Sequence, residues 1–460
     1  MKKFLSIIAM FCLAISIFTF SGCAVTLKTG PNKNDPVSSN GGLVVRKGDY
    51  IYFANGFVSN SNLSGKDNNY GEARNGAIYR AKLVNGELMY NVKEDKDGNE
   101  VKTLKNVELV CPMVAGFEYT NIYIFGDTLY FTTPNTEKDS TGKVRFDLTD
   151  VYAVSIKGGK VKRIVKALNL TNIDNIKYSY LNGKVYLTYL NDNKLYNVRI
   201  NGQKVENKTT IATSVSSFVL PSEESQFVYY TRAIKDDEKT KTGNVLAKTD
   251  LKSNKETVIR RDNRYTYAVL KVSADTIFYT KTDNFDSQAK TYIYSNDLEN
   301  FNEKEKQLTA IEYSSSNQFV FTLAGYDNAV VAYKDDDTNS KLLLVTGTND
   351  INADITTLYE GKFTVLKING TKIYGKDGDG NIVRIDIIDK TTDTIVSKDV
   401  ESKLDMNSNF DIENGYVYYN VKYSGDSSDG YYLNRTYLNS ANHETELVGV
   451  LLSKHIKTTK

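Results

Sequence analysis

The sequence predicts an all-β chain, a β-propeller of about eight four-stranded blades, with seven as the alternative count. Three observations carry this reading: a strand–turn–strand unit that recurs along the chain, strands that are apolar without alternation, and the lack of any helical apolar period of useful length after residue 22.

The recurring unit is an apolar strand, a tight turn rich in Gly, Asn or Asp, and a second strand rich in tyrosine. The second strands centre on Tyr52, Tyr130, Tyr186, Tyr229, Phe278, Val331, Tyr374 and Tyr418. The turns before them include Lys47-Gly48-Asp49, Phe125-Gly126-Asp127, Asn182-Gly183, Asn369-Gly370 and Asn414-Gly415. Asn-Gly between apolar runs marks a hairpin because both residues tolerate positive φ. A third strand follows each time, at Ile78, Val151, Leu195, Val245, Ile293, Leu342, Ile382 and Tyr432, and turns such as Gly158-Gly159 lead into a fourth. From Tyr52 to Tyr418 the units average about 52 residues, near the length of a kelch blade. Strands such as Tyr50-Ile51-Tyr52-Phe53 carry no polar alternate, which suits burial on both faces and argues against a sandwich with one wet face. The sixth unit lacks a tyrosine in its third strand, which leaves seven blades open.

The chain opens with Met1-Lys2-Lys3, an apolar run from Phe4 to Phe20, and Ser21-Gly22-Cys23. A positive start, an apolar core and small residues at its end make a secretory signal. The ending resembles a bacterial lipobox, in which small residues precede a cysteine that receives lipid; Phe20 departs from the aliphatic residue usual there. Residues 1–22 are therefore expected to be a lipoprotein signal peptide, Cys23 the lipidated residue, 23–42 a flexible tether and 43–460 the propeller. The expected partner is the outer side of a bacterial membrane, held through lipid on Cys23. An uncleaved helix over Phe4–Gly22 is the rival, being just long enough to cross ~30 Å of hydrocarbon. With Cys12 in the signal and Cys23 lipidated, Cys111 is left alone, which rules out an intramolecular disulfide and reads as a small buried hydrophobe.

Once Lys2 and Lys3 leave with the signal, the chain holds 56 basic and 56 acidic residues, spread along its length. That balance argues against nucleic acid as a partner. Only His443 and His455 exist, no Gly-x-Ser-x-Gly elbow or P-loop is present, and zinc ligands are too few. No cofactor is expected, and no enzyme is the first reading.

Val228-Tyr229-Tyr230-Thr231, Ile277-Phe278-Tyr279-Thr280 and Lys194-Leu195-Tyr196-Asn197-Val198 resemble the strands of bacterial propellers of unknown function, relatives of the YWTD propellers of LDL-receptor-like proteins and of TolB-like propellers. The resemblance covers about residues 43–452 and implies fold and a bias toward binding. The chain has no Trp and no YWTD, so no ligand chemistry follows.

In such a meander the loops between second and third strands share one end of the blades, and here they vary most in length. A rigid scaffold displays a binding surface this way. The candidate binding residues are Phe57 and Tyr70 in the first loop, Asp335 and Asp337 in the sixth, and Asp377 and Asp379 in the seventh. A solvated excursion is the alternative for the first loop, and turn chemistry for the aspartates, since Asp, Asn and Gly dominate tight turns for backbone reasons. Glu94 to Asn99 resembles part of a calcium loop without its full spacing, and Arg260, Arg261 and Arg264 could meet an anion. The functional expectation is a lipid-anchored binding or scaffold protein that holds a protein or envelope polymer. The alternative is a polysaccharide hydrolase or lyase working through paired carboxylates.

Overall fold

The computed structural model describes residues 26–56, 76–94, 98, 100–115, 121–142, 145, 147–170, 173–234, 244–273, 275–301, 305–314, 318–321, 329–334, 340–346, 354–397, 411–423, 430–439 and 445–449. Eight antiparallel sheets follow one another, seven of four consecutive strands each and a first that has an added edge strand and a hairpin inserted before its last strand. They are the eight blades of a β-propeller; the sixth unit, with strands at Gln318–Phe321, Ala329–Lys334, Lys341–Thr346 and Asp354–Glu360, is as complete as the others. Every second and third strand anticipated from the tyrosine pattern is present. Apart from one short 3-10 turn at Ile173–Asn175, no helix occurs among the described residues.

The chain divides into two compact units, one holding blades 1, 2 and 8 and the other blades 3 to 7. In the first unit the side chains of blades 1 and 2 share a core containing Tyr52, Ile78, Cys111, Ile122 and Phe131. A second core joins blade 1 to blade 8 through Phe53, Tyr79, Tyr418, Leu433 and Val448. In the second unit, buried clusters fill the space between successive blades, as with Tyr229 and Leu246 of blade 4 against Tyr267 and Tyr279 of blade 5. Burial on both faces explains the unalternating strands: every residue of Tyr50–Ala54 and of Thr128–Pro134 is buried. The fourth strand of blade 3, Lys204–Thr213, lies at the edge of its sheet and is mostly exposed, whereas that of blade 1, Val107–Cys111, is apolar and partly buried. The hairpin signals act as expected, with positive φ at both residues of Asn182-Gly183 and Asn414-Gly415.

Residues 26–42, expected as a flexible tether, are instead bound to blades 1 and 2. Leu27 N donates to Lys157 O (2.8 Å), and Gly48 N donates to Pro36 O (3.0 Å). Val37–Ser38 adds a fifth strand to the edge of Val44–Lys47, the first strand of blade 1. Gly41 and Gly42 then exchange backbone hydrogen bonds with Ile122 of blade 2. The physical reason is the need of two buried cations for acceptors. Lys47 Nζ donates to the carbonyls of Lys33 (3.0 Å) and Asp35 (2.8 Å), and Arg80 Nη2 donates to Thr29 O (2.5 Å). Burial pushes the Lys47 ammonium below its usual pKa, opposed by Asp35 and Asp127. Carbonyl acceptors leave no trace in hydrophobic periodicity, so a polar, aperiodic stretch read as free chain.

Blade 1 carries one element with no counterpart. Between its third strand (Ile78–Lys82) and its fourth (Val107–Cys111) stands an extra hairpin, Tyr90–Glu94 paired with Glu100–Leu104. Tyr90 and Leu104 pack against the core shared with blade 8. At its base Glu87 accepts a hydrogen bond from Tyr416 Oη (3.0 Å) and stands 3.7 Å from Arg435 Nη2 of blade 8. Glu94, read as part of a calcium loop, lies directly opposite Glu100 in this ladder, while Asp95, Lys96, Asp97 and Asn99 lie outside the described residues.

Candidate binding rim

Each blade runs as an antiparallel meander, so its first-to-second and third-to-fourth turns leave one end and its second-to-third loop leaves the other. Of the residues expected at the loop end, Phe57, Tyr70, Asp335 and Asp337 lie outside the described residues, as do Cys23, His443 and His455. Asp377 and Asp379 sit in the tight turn after the second strand of blade 7, Lys372–Asp377. The Asp377 carboxylate accepts hydrogen bonds from Asp379 N (3.0 Å), Asn381 N (2.8 Å) and Asn381 Nδ2 (2.7 Å). It shapes its own turn in the way Asx residues do. Among the described residues no three His, Cys, Asp or Glu gather as a cation site.

Two of the longer loops of the rim hold side-chain networks of their own. In blade 2, Asn135 and Asp150 close the base of the loop: Asn135 Nδ2 donates to the buried Asp150 carboxylate (2.8 Å), which also accepts from Ala167 N (2.8 Å). Above them Glu137 is bridged by Lys166 (2.5 Å) and Arg163 (2.9 Å), whose hydrogen bonds hold its carboxyl below the usual range. Arg145 pairs with Asp147 (2.7 Å). These charges are solvated and matched, so they shape a polar surface and bind one another.

The loop of blade 5 differs in kind. It leaves the second strand, Thr276–Asp283, and joins the third, Tyr292–Asp297. Asp283 is engaged by Arg264 (2.7 Å), whose guanidinium holds the carboxyl below its ordinary pKa, and it accepts from Phe285 N (3.0 Å). Asn284 N donates to Arg264 O (2.8 Å), and its side chain accepts from Thr266 Oγ1 (2.7 Å). Asp286 caps the next turn through Gln288 N (2.9 Å). These bonds fix the backbone on both sides of Phe285, yet its ring is 72 % exposed, more than any other large apolar side chain among the described residues. Beside it Tyr265 lies under two cations, Lys281 Nζ at 4.2 Å from its centroid and Arg264 at 5.3 Å.

The sequence reading missed Phe285. The signal was present: Asp283-Asn284-Phe285-Asp286-Ser287 sets one aromatic among turn-forming residues, with no apolar neighbour to help bury it. Arg260 and Arg261, expected in a between-blade connection, lie in the fourth strand of blade 4, Glu256–Asp262, where Arg260 pairs with Asp262 (2.9 Å); Arg264 alone stands in the connection.

Cys111 is fully buried, and burial pushes its thiol up to about 12. The thiolate is the reactive form. Cys111 is therefore expected to resist a maleimide at pH 8 in the folded protein and to be labelled once denatured, which mass spectrometry of the Cys111 peptide reads directly.

No family model and no curated protein matches the chain. Among solved structures, it is similar to the β-propeller domain of the Trilobed protease from Pyrococcus furiosus, at 12 % identity over 70 % of this chain and 92 % of that one, with a TM-score of 0.40. It is similar to Pyrococcus horikoshii acylaminoacyl peptidase at 12 % identity, covering 73 % and 52 %, with a TM-score of 0.42. An oligogalacturonate lyase from Vibrio parahaemolyticus gives 10 %, 78 % and 98 %, and a TM-score of 0.38. These are likenesses of fold. At such identities they carry nothing about ligand or reaction.

Proposed function

We propose that this protein is a lipid-anchored binding protein of the bacterial envelope, with Cys23 as the anchor and the second-to-third loops as the surface that holds a protein partner. The observation that supports this most is Phe285: an aromatic ring left in water on a loop whose backbone is fixed on both sides. Burying such a ring contributes roughly 1.5–3 kcal/mol. A pre-ordered loop does so without the cost of ordering at the moment of binding. Aromatic and Arg side chains together form the anchors of many interfaces, and Arg264 stands at the base of this loop.

The test is crosslinking on intact cells with tagged full-length protein, followed by mass spectrometry of the captured material. Phe285→Asp is expected to reduce capture about tenfold or more, the effect of losing an anchor worth ~1.4 kcal/mol or above. Its folding is expected to be unchanged, because the ring makes little contact in the free protein. Capture that survives both Phe285→Asp and deletion of residues 60–70 sinks the rim as the binding surface. Capture of envelope glycan in place of protein would move the carboxylate-enzyme reading ahead.

A further inference from the structure

We infer that the turn end of blades 1, 2 and 8 rests on the surface of the membrane, so that the loop ends of these blades point away from it. This rests on the anchored reading of the N-terminus proposed above.

Thr26 pairs with Gly158 and Leu27 N bonds to Lys157 O, which places both at the third-to-fourth turn of blade 2. The chain then crosses to the first-to-second turn of blade 1, where Lys33, Asp35 and Pro36 give their carbonyls to Lys47 and Gly48. Only Ala24 and Val25 separate Thr26 from Cys23, and the three steps between them span at most about 11 Å fully extended. The loop end of blade 2 lies one strand away, the seven residues of Thr128–Pro134, or roughly 23 Å. A leash that short brings the turn end to the bilayer and leaves the loop end out of reach. An uncleaved helix ending near Gly22 would impose the same orientation.

The extra hairpin of blade 1 lies in a third-to-fourth connection, which starts and finishes at this same end; Asn414 at the first-to-second turn of blade 8 donates to Gly86 O at its base (3.3 Å). This connection exposes Val84 and Met89 before the hairpin and Val92 within it. Lys28, Lys33, Lys82 and Lys160 are exposed at this end. Against them stand Asp35, Asp49, Asp127 and Glu87; Asp35 is engaged by Asn32 N (2.8 Å) and Glu87 by Tyr416. The four lysines are matched in number by the four acids, so charge does not oppose close approach to the bilayer, and exposed apolar side chains can reach into the headgroup layer.

The test uses full-length lipidated protein in vesicles of phosphatidylcholine and phosphatidylglycerol that carry a headgroup nitroxide lipid. A fluorophore is attached at Lys160→Cys, Val92→Cys or, in the loop of blade 2, Asp139→Cys; Cys111 is buried and does not compete. Quenching is expected to be about twofold or more stronger at 160 and 92 than at 139, given the strand length between the ends. Inserting about a dozen Gly/Ser residues after Ala24 is expected to erase the difference, because a flexible linker of that length frees the orientation. Equal or stronger quenching at 139 in anchored protein overturns the orientation alone. Anchoring is read separately, from the mass of the N-terminal peptide and partition into detergent; protein with neither lipid nor retained helix overturns the anchor and the orientation together.

Discussion

Arg232→Ala is expected to lower the unfolding free energy of the domain by about 3 kcal/mol, read as a shift of the denaturant midpoint at unchanged slope. Arg232 is 1 % exposed in the second strand of blade 4, Phe227–Ala233. Its guanidinium reaches Glu256 twice, Nη2 to Oε1 (2.9 Å) and Nε to Oε2 (3.1 Å), and donates to Ala233 O through Nη1 (3.0 Å). Tyr230 Oη donates to the same carboxylate (2.6 Å) and meets Thr249. Removing the cation leaves Glu256 and Tyr230 facing each other without their counter-charge, and leaves a cavity the size of the guanidinium. The Glu256 side chain keeps 27 % exposure, so water offsets part of the loss and the cost falls at the low end of the range for broken buried pairs. Replacing both partners, Arg232→Met with Glu256→Leu, is expected to recover most of the stability. A loss below about 1 kcal/mol for Arg232→Ala would mean that the pair is effectively solvated.

The same arrangement recurs in blade 5, where Tyr279 Oη (2.7 Å) and Lys281 Nζ (2.5 Å) both meet Glu305. In each blade the cation stands two residues after the tyrosine and the acid 24 residues after the cation. The tyrosines are held above their usual pKa, first by burial and then by these acceptors. This spacing ties the second strand to the outermost one, which is otherwise polar and weakly packed.

Gly42→Ala is expected to cost about 1–3 kcal/mol, the penalty for overpacking a site that has no room. A Cβ there would overlap Asp411 Oδ2, the buried carboxylate at the start of the first strand of blade 8, Asp411–Glu413. Neither side can yield freely. Gly42 is held by Ile122 N donating to its carbonyl (3.0 Å), while Asp411 accepts from Ile412 N (2.9 Å). Around this point Ser38 Oγ (2.9 Å) and Ser39 Oγ (2.5 Å) both donate to Glu413, so residues 37–42 join the first strands of blades 8, 1 and 2. Thermal unfolding of the single variants and of Gly42→Ala/Asp411→Ala separates the overlap from general strain. Interaction between the two substitutions of about 1 kcal/mol or more supports the overlap; strict additivity removes it as the cause.

How much of this was legible varies with the kind of force involved. The repeat was readable because every blade must bury its second and third strands on both faces, and that demand writes Tyr, Val and Ile at fixed distances from an Asn-Gly or Gly-Asp turn. Asp377 and its turn were readable as backbone chemistry for the same local reason. The rim residues fared worse. Phe57, Tyr70, Asp335 and Asp337 fall outside the described residues, and Phe285 was passed over because an aromatic in a loop carries no periodic signal of exposure.

The sequence by itself determined the propeller repeat of about eight units, with seven left open, the turn chemistry and the burial of Cys111, since each depends on residues close in the chain or on a period that repeats. Only the tertiary structure decided that residues 26–42 are bound and not free, that an extra hairpin joins blade 1 to blade 8, and that Phe285 stands in water. These depend on which distant groups come within about 3 Å of one another: the carbonyls that serve Lys47 and Arg80, the Glu87 that meets Arg435, and the Arg264 that props its loop. Hydrogen-bond acceptors on the backbone are the same at every residue, so no sequence pattern announces which of them a buried cation will use.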